Sequence, residues 1–135
     1  MIPFTWLRQL ADGHGVDDRQ TQLRKGALEL AVLALLSGDE RYGAEIVDIL
    51  ASLPGLDAGA GTVYPVLARL NRSKLVETSW RESPYGPPRK YYRLSRAGDA
   101  ELDHQTAAWR QVVQAMDRVL GPRVLPDAGS SGERS

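Results

Sequence analysis

The chain has no cysteine, so disulfide frameworks and thiolate metal sites are excluded from the start. Histidine is almost as scarce. His14 and His104 are the only two, they lie in different segments, and only Glu101 stands near either at a helical spacing. One carboxylate and one imidazole do not make a metal site. No apolar run approaches the ~18 residues that cross a bilayer, and Met1 to Leu10 lacks the basic start and long apolar core of a secretory leader. The expectation is a cytoplasmic protein without membrane association. Nucleophile elbows of the Gly-x-Ser-x-Gly type are absent, and no Gly-Lys-Ser/Thr follows the glycines at 55, 59 and 61. Neither an enzyme nor a bound cofactor is expected. An excess of one charge is also missing: 17 Lys and Arg balance 17 Asp and Glu, for a formal charge of zero. With 135 residues, the chain suits a single domain with its own core.

The balance conceals an asymmetry. Between Gly61 and Arg96 there are eight cations (Arg69, Arg72, Lys74, Arg81, Arg89, Lys90, Arg93 and Arg96) against Glu77 and Glu82. That stretch therefore carries +6 and the remainder −6, the electrostatic footprint expected of a nucleic-acid-binding face. Its pattern is equally specific. Val63, Val66, Leu67 and Leu70 recur at helical spacing, with Thr62 as N-cap and Pro65 in the first turn. Thr62, Tyr64, Ala68, Arg69, Asn71 and Arg72 are left for the other faces. Short polar groups with arginines behind them suit a helix end that meets phosphates and base edges. Next, Val76, Thr78 and Trp80 alternate with Glu77, Ser79 and Arg81, and Tyr92 and Leu94 alternate with Tyr91 and Arg93. Pro84 to Pro88 reads as the turn between these two strands. A helix followed by a hairpin with a basic tip is the layout of a winged helix.

The rest of the chain fits around this unit. Phe4, Trp6, Leu7 and Leu10 behind Thr5 suggest two turns of amphipathic helix, either a frayed start or an arm packed on a subunit interface. Residues 23 to 36 form a helix apolar on nearly every side, which needs several partners. Tyr42, Ile46, Ile49, Leu50 and Leu53 share one face of the next helix. Ser95 caps a last helix reaching about Leu120, in which Leu102, Trp109 and Met116 are spaced by seven. Thr106, Val113 and Leu120 repeat that spacing, and Val112 and Val119 widen the seam. So broad a seam on a helix trailing from a closed domain predicts pairing with a second copy; folding back on its own subunit is the other outcome. The fold class is thus mainly α with a small β-hairpin. An N-terminal arm spans 1–21, a winged helix-turn-helix domain 22–95, a dimerisation helix 96–121 and a disordered tail 122–135.

Four blocks, LRKGALELAVLALL at 23–36, YGAEIVDIL at 42–50, GTVYPVLARL at 61–70 and PPRKYYRLSRAG at 87–98, together resemble the PadR family of bacterial transcriptional regulators. The single long C-terminal helix is similar to that of its shorter branch. The resemblance implies a homodimeric repressor on double-stranded DNA, with Thr62 and Tyr64 contacting the major groove and the wing segment Pro88 to Tyr92 also touching DNA. Arg89 and Lys90 are the expected phosphate contacts, Arg69 and Arg72 flank the recognition helix, Tyr92 turns inward and Trp80 caps the core. Two recognition helices would read a pseudo-palindromic operator in grooves about 34–36 Å apart. Leu102, Trp109, Val112, Val113, Met116 and Leu120 are the expected dimer interface. Trp109 is also a candidate contact for a flat aromatic effector, as the resemblance implies. Two rivals use the same fold: a protein–protein interaction module without DNA binding, and a small-molecule carrier.

Overall fold

The structure, a computed structural model, describes residues 15–123, and side-chain surroundings from Arg24 onward. Helix α1 spans Gly15–Leu35. It starts well before residue 23, so the expected divide between an arm and a domain at 21/22 falls inside a helix. Apolar periodicity does not announce that early start. The short helix expected at Phe4 to Leu10 lies outside the described residues. Among those described, no helix is long and apolar enough to cross a membrane.

A two-residue strand, β1 (Arg41–Tyr42), precedes helix α2 (Gly43–Ala51). The apolar spacing puts Tyr42 on the helix, but it is extended (φ −94°, ψ 161°), and its N–H donates to Glu45 Oε1 at 3.4 Å. Arg41 pins this corner. Its Nε donates to the Leu35 carbonyl at 2.8 Å, satisfying an orphan acceptor at the end of α1, and its Nη1 reaches Glu45 Oε2 at 3.2 Å. Helix α2 buries Gly43, Ile46 and Leu50; Leu53 falls beyond its end and is exposed.

Helix α3 (Ala60–Arg72) begins three residues earlier than expected. Gly59, extended, is its N-cap, and the N–H groups of Thr62 and Val63 both donate to the Gly59 carbonyl at 3.0 Å. Thr62 is therefore a first-turn residue and not the cap. Pro65 consequently sits in the second turn, where its missing N–H deprives the Gly61 carbonyl of its helical donor. The buried stripe is the expected one: Val63, Val66, Leu67 and Leu70.

Strands β2 (Val76–Ser83) and β3 (Gly86–Leu94) form the hairpin, and the sheet order is β1-β3-β2, all antiparallel. Gly86, Pro87 and Pro88 belong to β3, so the connecting turn is shorter than expected. Register runs from Val76↔Leu94 to Arg81↔Arg89 and resumes at Ser83↔Gly86, which sets Pro87 and Pro88 opposite Glu82 alone. Such a bulge tolerates residues without N–H groups. One face of the sheet carries Val76, Tyr92 and Leu94 onto the core built by Leu28, Val32, Leu33, Leu36, Ile46, Leu50 and the stripe of α3. Trp80 lies on that same face but 67% exposed, because the hairpin outruns the helices beneath it. It does not cap the core.

Helix α4 (Arg96–Leu120) is seated by its first turn. Ser95 Oγ accepts from the Gly98 N–H at 3.0 Å and donates to the Lys74 carbonyl at 2.8 Å. Gly98 is buried, and a Cβ there would run into the Leu75 carbonyl oxygen. Leu102, expected in the dimer interface, packs partly buried against the chain's own core. From Trp109 onward the residues of the helix are exposed, with Trp109 and Val113 still bordering α1.

Candidate nucleic-acid interface

At 100° per residue, the buried stripe of α3 leaves an outward face centred on Pro65, Ala68 and Arg72. Tyr64 and Asn71 lie on one flank of this face, Thr62 and Arg69 on the other. All of them are exposed. On the first flank, the Tyr64 ring lies against Gly43, where any side chain would collide with it. The absence of a side chain at Gly43 leaves the room that the Tyr64 ring occupies. Tyr92 lies near Tyr64, and burial, with the neighbouring Tyr64, pushes the Tyr92 hydroxyl above the usual tyrosine range. On the second flank, Thr62, Pro65 and Arg69 border a recess of about 420 Å³ with Arg24 and Lys25 of α1. Arg24 is held there by Asp57, with Nη1 at 2.9 Å from its carbonyl and 3.3 Å from Oδ1. Neither Arg24 nor Lys25 lies in the cationic stretch of sequence, and no local signal marks them.

The wing's cations divide between its two faces, since successive strand residues point oppositely. Arg89 stacks on the Tyr42 ring at 4.3 Å, Tyr42 meets Tyr91 edge-on at 5.5 Å, and Arg81 lies over Tyr91 at 4.6 Å. This Arg-Tyr-Tyr-Arg ladder covers the solvent side, and it orders Arg89 while leaving its N–H edge free. Lys90 points to the opposite face, 5.6 Å from the Tyr92 ring centroid and 6.0 Å from that of Trp80. The structure therefore does not bring Arg89 and Lys90 together as one paired contact.

Ion pairs also thin the expected charge. Arg69 bonds Glu29 at 2.7 Å, Arg81 pairs with Glu40, and Arg93 pairs with Glu77 at 2.9 Å and Glu40 at 4.0 Å. Of the eight cations in 61–96, Arg72, Lys74, Arg89, Lys90 and Arg96 have no carboxylate partner among the described residues, so five of the eight are left for an anionic ligand.

Behind this face, the second apolar side of α1 is uncovered. Ala27, Leu30, Ala31 and Ala34 line a groove of about 850 Å³ with Pro54, Leu56, Thr106, Trp109 and Val113. Past it, Val112, Met116, Val119 and Leu120 are 45–78% exposed along α4.

Known proteins share this fold. A transcriptional regulator from Streptococcus, 36% identical, matches with a TM-score of 0.67 over 75% of this chain and 99% of its own. A PadR-like transcription factor from Bacteroides fragilis is 34% identical, with a TM-score of 0.63 over 76% of this chain and 98% of its own. A PadR family transcriptional regulator from Eggerthella lenta is 30% identical, with a TM-score of 0.70 over 84% and 99%. An uncharacterised protein of Lysinibacillus sphaericus is 27% identical over 100 residues, covering 73% of this chain and 92% of its own. The profile of the transcriptional regulator PadR-like family matches residues 32–104, more than half the chain. With its helices and three-stranded sheet in the same order as these relatives, the chain belongs to the PadR-like family of transcriptional regulators.

Proposed function

We propose that the protein is a cytoplasmic, homodimeric repressor that binds a pseudo-palindromic operator in double-stranded DNA. The observation that carries this reading is the open surface shared by α3 and the wing. Arg72 at the C-terminal end of one and Arg89 near the tip of the other are both exposed and free of carboxylates among the described residues. Thr62, Tyr64 and Asn71 supply the neutral hydrogen-bonding groups that distinguish base edges, while Arg72, Arg89 and Lys90 take phosphates. Dimerisation is supported by the apolar surface that α4 leaves uncovered from Trp109 to Leu120, which a second copy of the same helix would bury. The groove beside Trp109 has the size and apolar lining of a small-molecule site. A flat aromatic effector stacked there would alter the seating of α4 and release DNA.

Selection of bound duplexes from a random pool, followed by titration against salt, tests this. The expected result is one enriched palindromic sequence and a log–log salt slope of about −0.9 per phosphate contact. Arg89→Ala with Lys90→Ala should weaken all duplexes alike and flatten that slope. Failure to enrich any duplex would instead favour the protein-interaction module.

A further inference from the structure

Arg69 belongs, by sequence, with the phosphate contacts of the recognition helix. Its position on the flank of α3 turns it elsewhere. Nη2 donates to Glu29 Oε1 of α1 at 2.7 Å. The other oxygen of that carboxylate, Oε2, accepts from Gln105 Nε2 of α4 at 3.0 Å, and the same amide nitrogen donates to Glu101 Oε2 at 2.7 Å. One carboxylate on the middle helix thus holds one helix by each oxygen. Burial by itself would raise the Glu29 carboxyl. The Arg69 and Gln105 hydrogen bonds and the Arg69 charge outweigh that and leave it below the usual glutamate range, so it is ionised at neutral pH.

The two-ended grip has a mechanical consequence. A carboxylate is planar and short, so fixing both oxygens fixes its rotamer. Gln105 adjoins Thr106, which lines the groove beside Trp109. A sliding of α4 that carries Gln105 off Oε2 frees the carboxylate to turn, and Arg69 loses its fixed partner. We propose that Arg69 is a positioning residue that ties the recognition helix to α4 through Glu29 and Gln105, so that the seating of α4 sets the pose of the DNA-reading face. This rests on the DNA-binding reading above, and it replaces a phosphate contact with a tether.

The two roles predict opposite signs. The probe is the duplex that the wild-type dimer enriches from a random pool. As a tether, the pair is half-exposed and worth about threefold per subunit, hence about tenfold for a dimer on both half-sites. Glu29→Gln and Arg69→Gln should then each weaken binding about tenfold at an unchanged salt slope, and the double variant should be no weaker than either. Gln105→Leu should weaken it in the same direction. A phosphate-contacting Arg69 gives the reverse: Glu29→Gln frees a cation and tightens binding, and Arg69→Gln lowers the slope by about 0.9 for each phosphate left without its arginine. Either of those results overturns the proposal. Amide hydrogen exchange on the free protein provides a readout that needs no DNA. Glu29→Gln should speed exchange in the last two turns of α3 and around residue 105, and unchanged exchange there also overturns it. A chain that bound no duplex would defeat the proposed function while the exchange data still decided the tether.

Discussion

Gly98→Ala reverses an ordinary expectation. In an open helix, replacing glycine by alanine stabilises by roughly 0.5–1 kcal/mol, because alanine loses less backbone freedom on folding. At Gly98 the added Cβ would run into the Leu75 carbonyl oxygen and lie 3.1 Å from Leu94 Cδ2. The leucine side chain can yield, but the carbonyl cannot. Leu75 O accepts from the Ser95 N–H at 3.0 Å, so moving it breaks the bond that seats the cap of α4. Overpacking against a fixed neighbour costs about 1–3 kcal/mol. The helix-propensity gain offsets part of this, leaving a net loss of about 1–2 kcal/mol and a Tm lower by roughly 4–9 °C. Gly26→Ala is the matched control: it lies inside α1, exposed, with nothing within 4 Å of its added Cβ. That variant should be more stable than wild type by roughly 0.5–1 kcal/mol. Thermal melts followed by circular dichroism, all at one protein concentration, give both values. If Gly98→Ala melts at or above wild type, α4 is not seated on the Leu75 carbonyl.

Further tests address the interface, the recognition helix and the tether. Trp109→Asp buries a charge in the proposed subunit seam and should give monomers by light scattering; a variant that stays dimeric would place the seam elsewhere. Tyr64→Ala removes a 41% exposed ring and should cost under about 1 kcal/mol of stability while lowering affinity for the selected duplex. A large fall in its Tm would show that the ring supports the fold through Gly43. Glu29 titrates below its ordinary value when folded, so its ionised form stabilises the protein above the ordinary glutamate pKa, about 4.3, and that contribution fades as pH falls through the lower folded value. The stability gap between wild type and Glu29→Gln, from urea melts, should be open at pH 7 and close as pH falls through that lower folded value. A gap that ignores pH would mean that Glu29 acts by packing alone.

Periodicity makes most of the framework legible. The stripe Val63, Val66, Leu67, Leu70 follows the helical repeat, and Ser95 has the hydroxyl that caps α4. Alternation likewise puts Tyr92 inward. The features that escape such patterns depend on distant partners. Arg41–Tyr42 is too short to carry a period and becomes a strand only because Tyr91 and Tyr92 lie beside it. Alternation sets Trp80 on the correct face of its strand, but its exposure follows from how far the helices extend beneath the hairpin. Gly59 has no side chain with which to announce a cap, so the nearby threonine looks like one in its place. Counting charges along 61–96 gives the right sign for that surface but not its free cations, because Arg69 meets a carboxylate 40 residues away and Arg81 one 41 residues away. Leu102 fits a heptad on paper, yet the adjoining core claims it.

The proline pair in β3 has a consequence beyond its local geometry. Strand β1 shields only the two rungs at Tyr91 and Tyr92, so the stretch from Gly86 to Lys90 is an uncovered sheet margin. Margins of this kind invite foreign chains to anneal and lengthen the sheet. Pro87 and Pro88 have no amide hydrogen to offer such a chain, and the kink they create bends the rim away from straight alignment. The finger is thereby kept two strands thin even in a crowded solution.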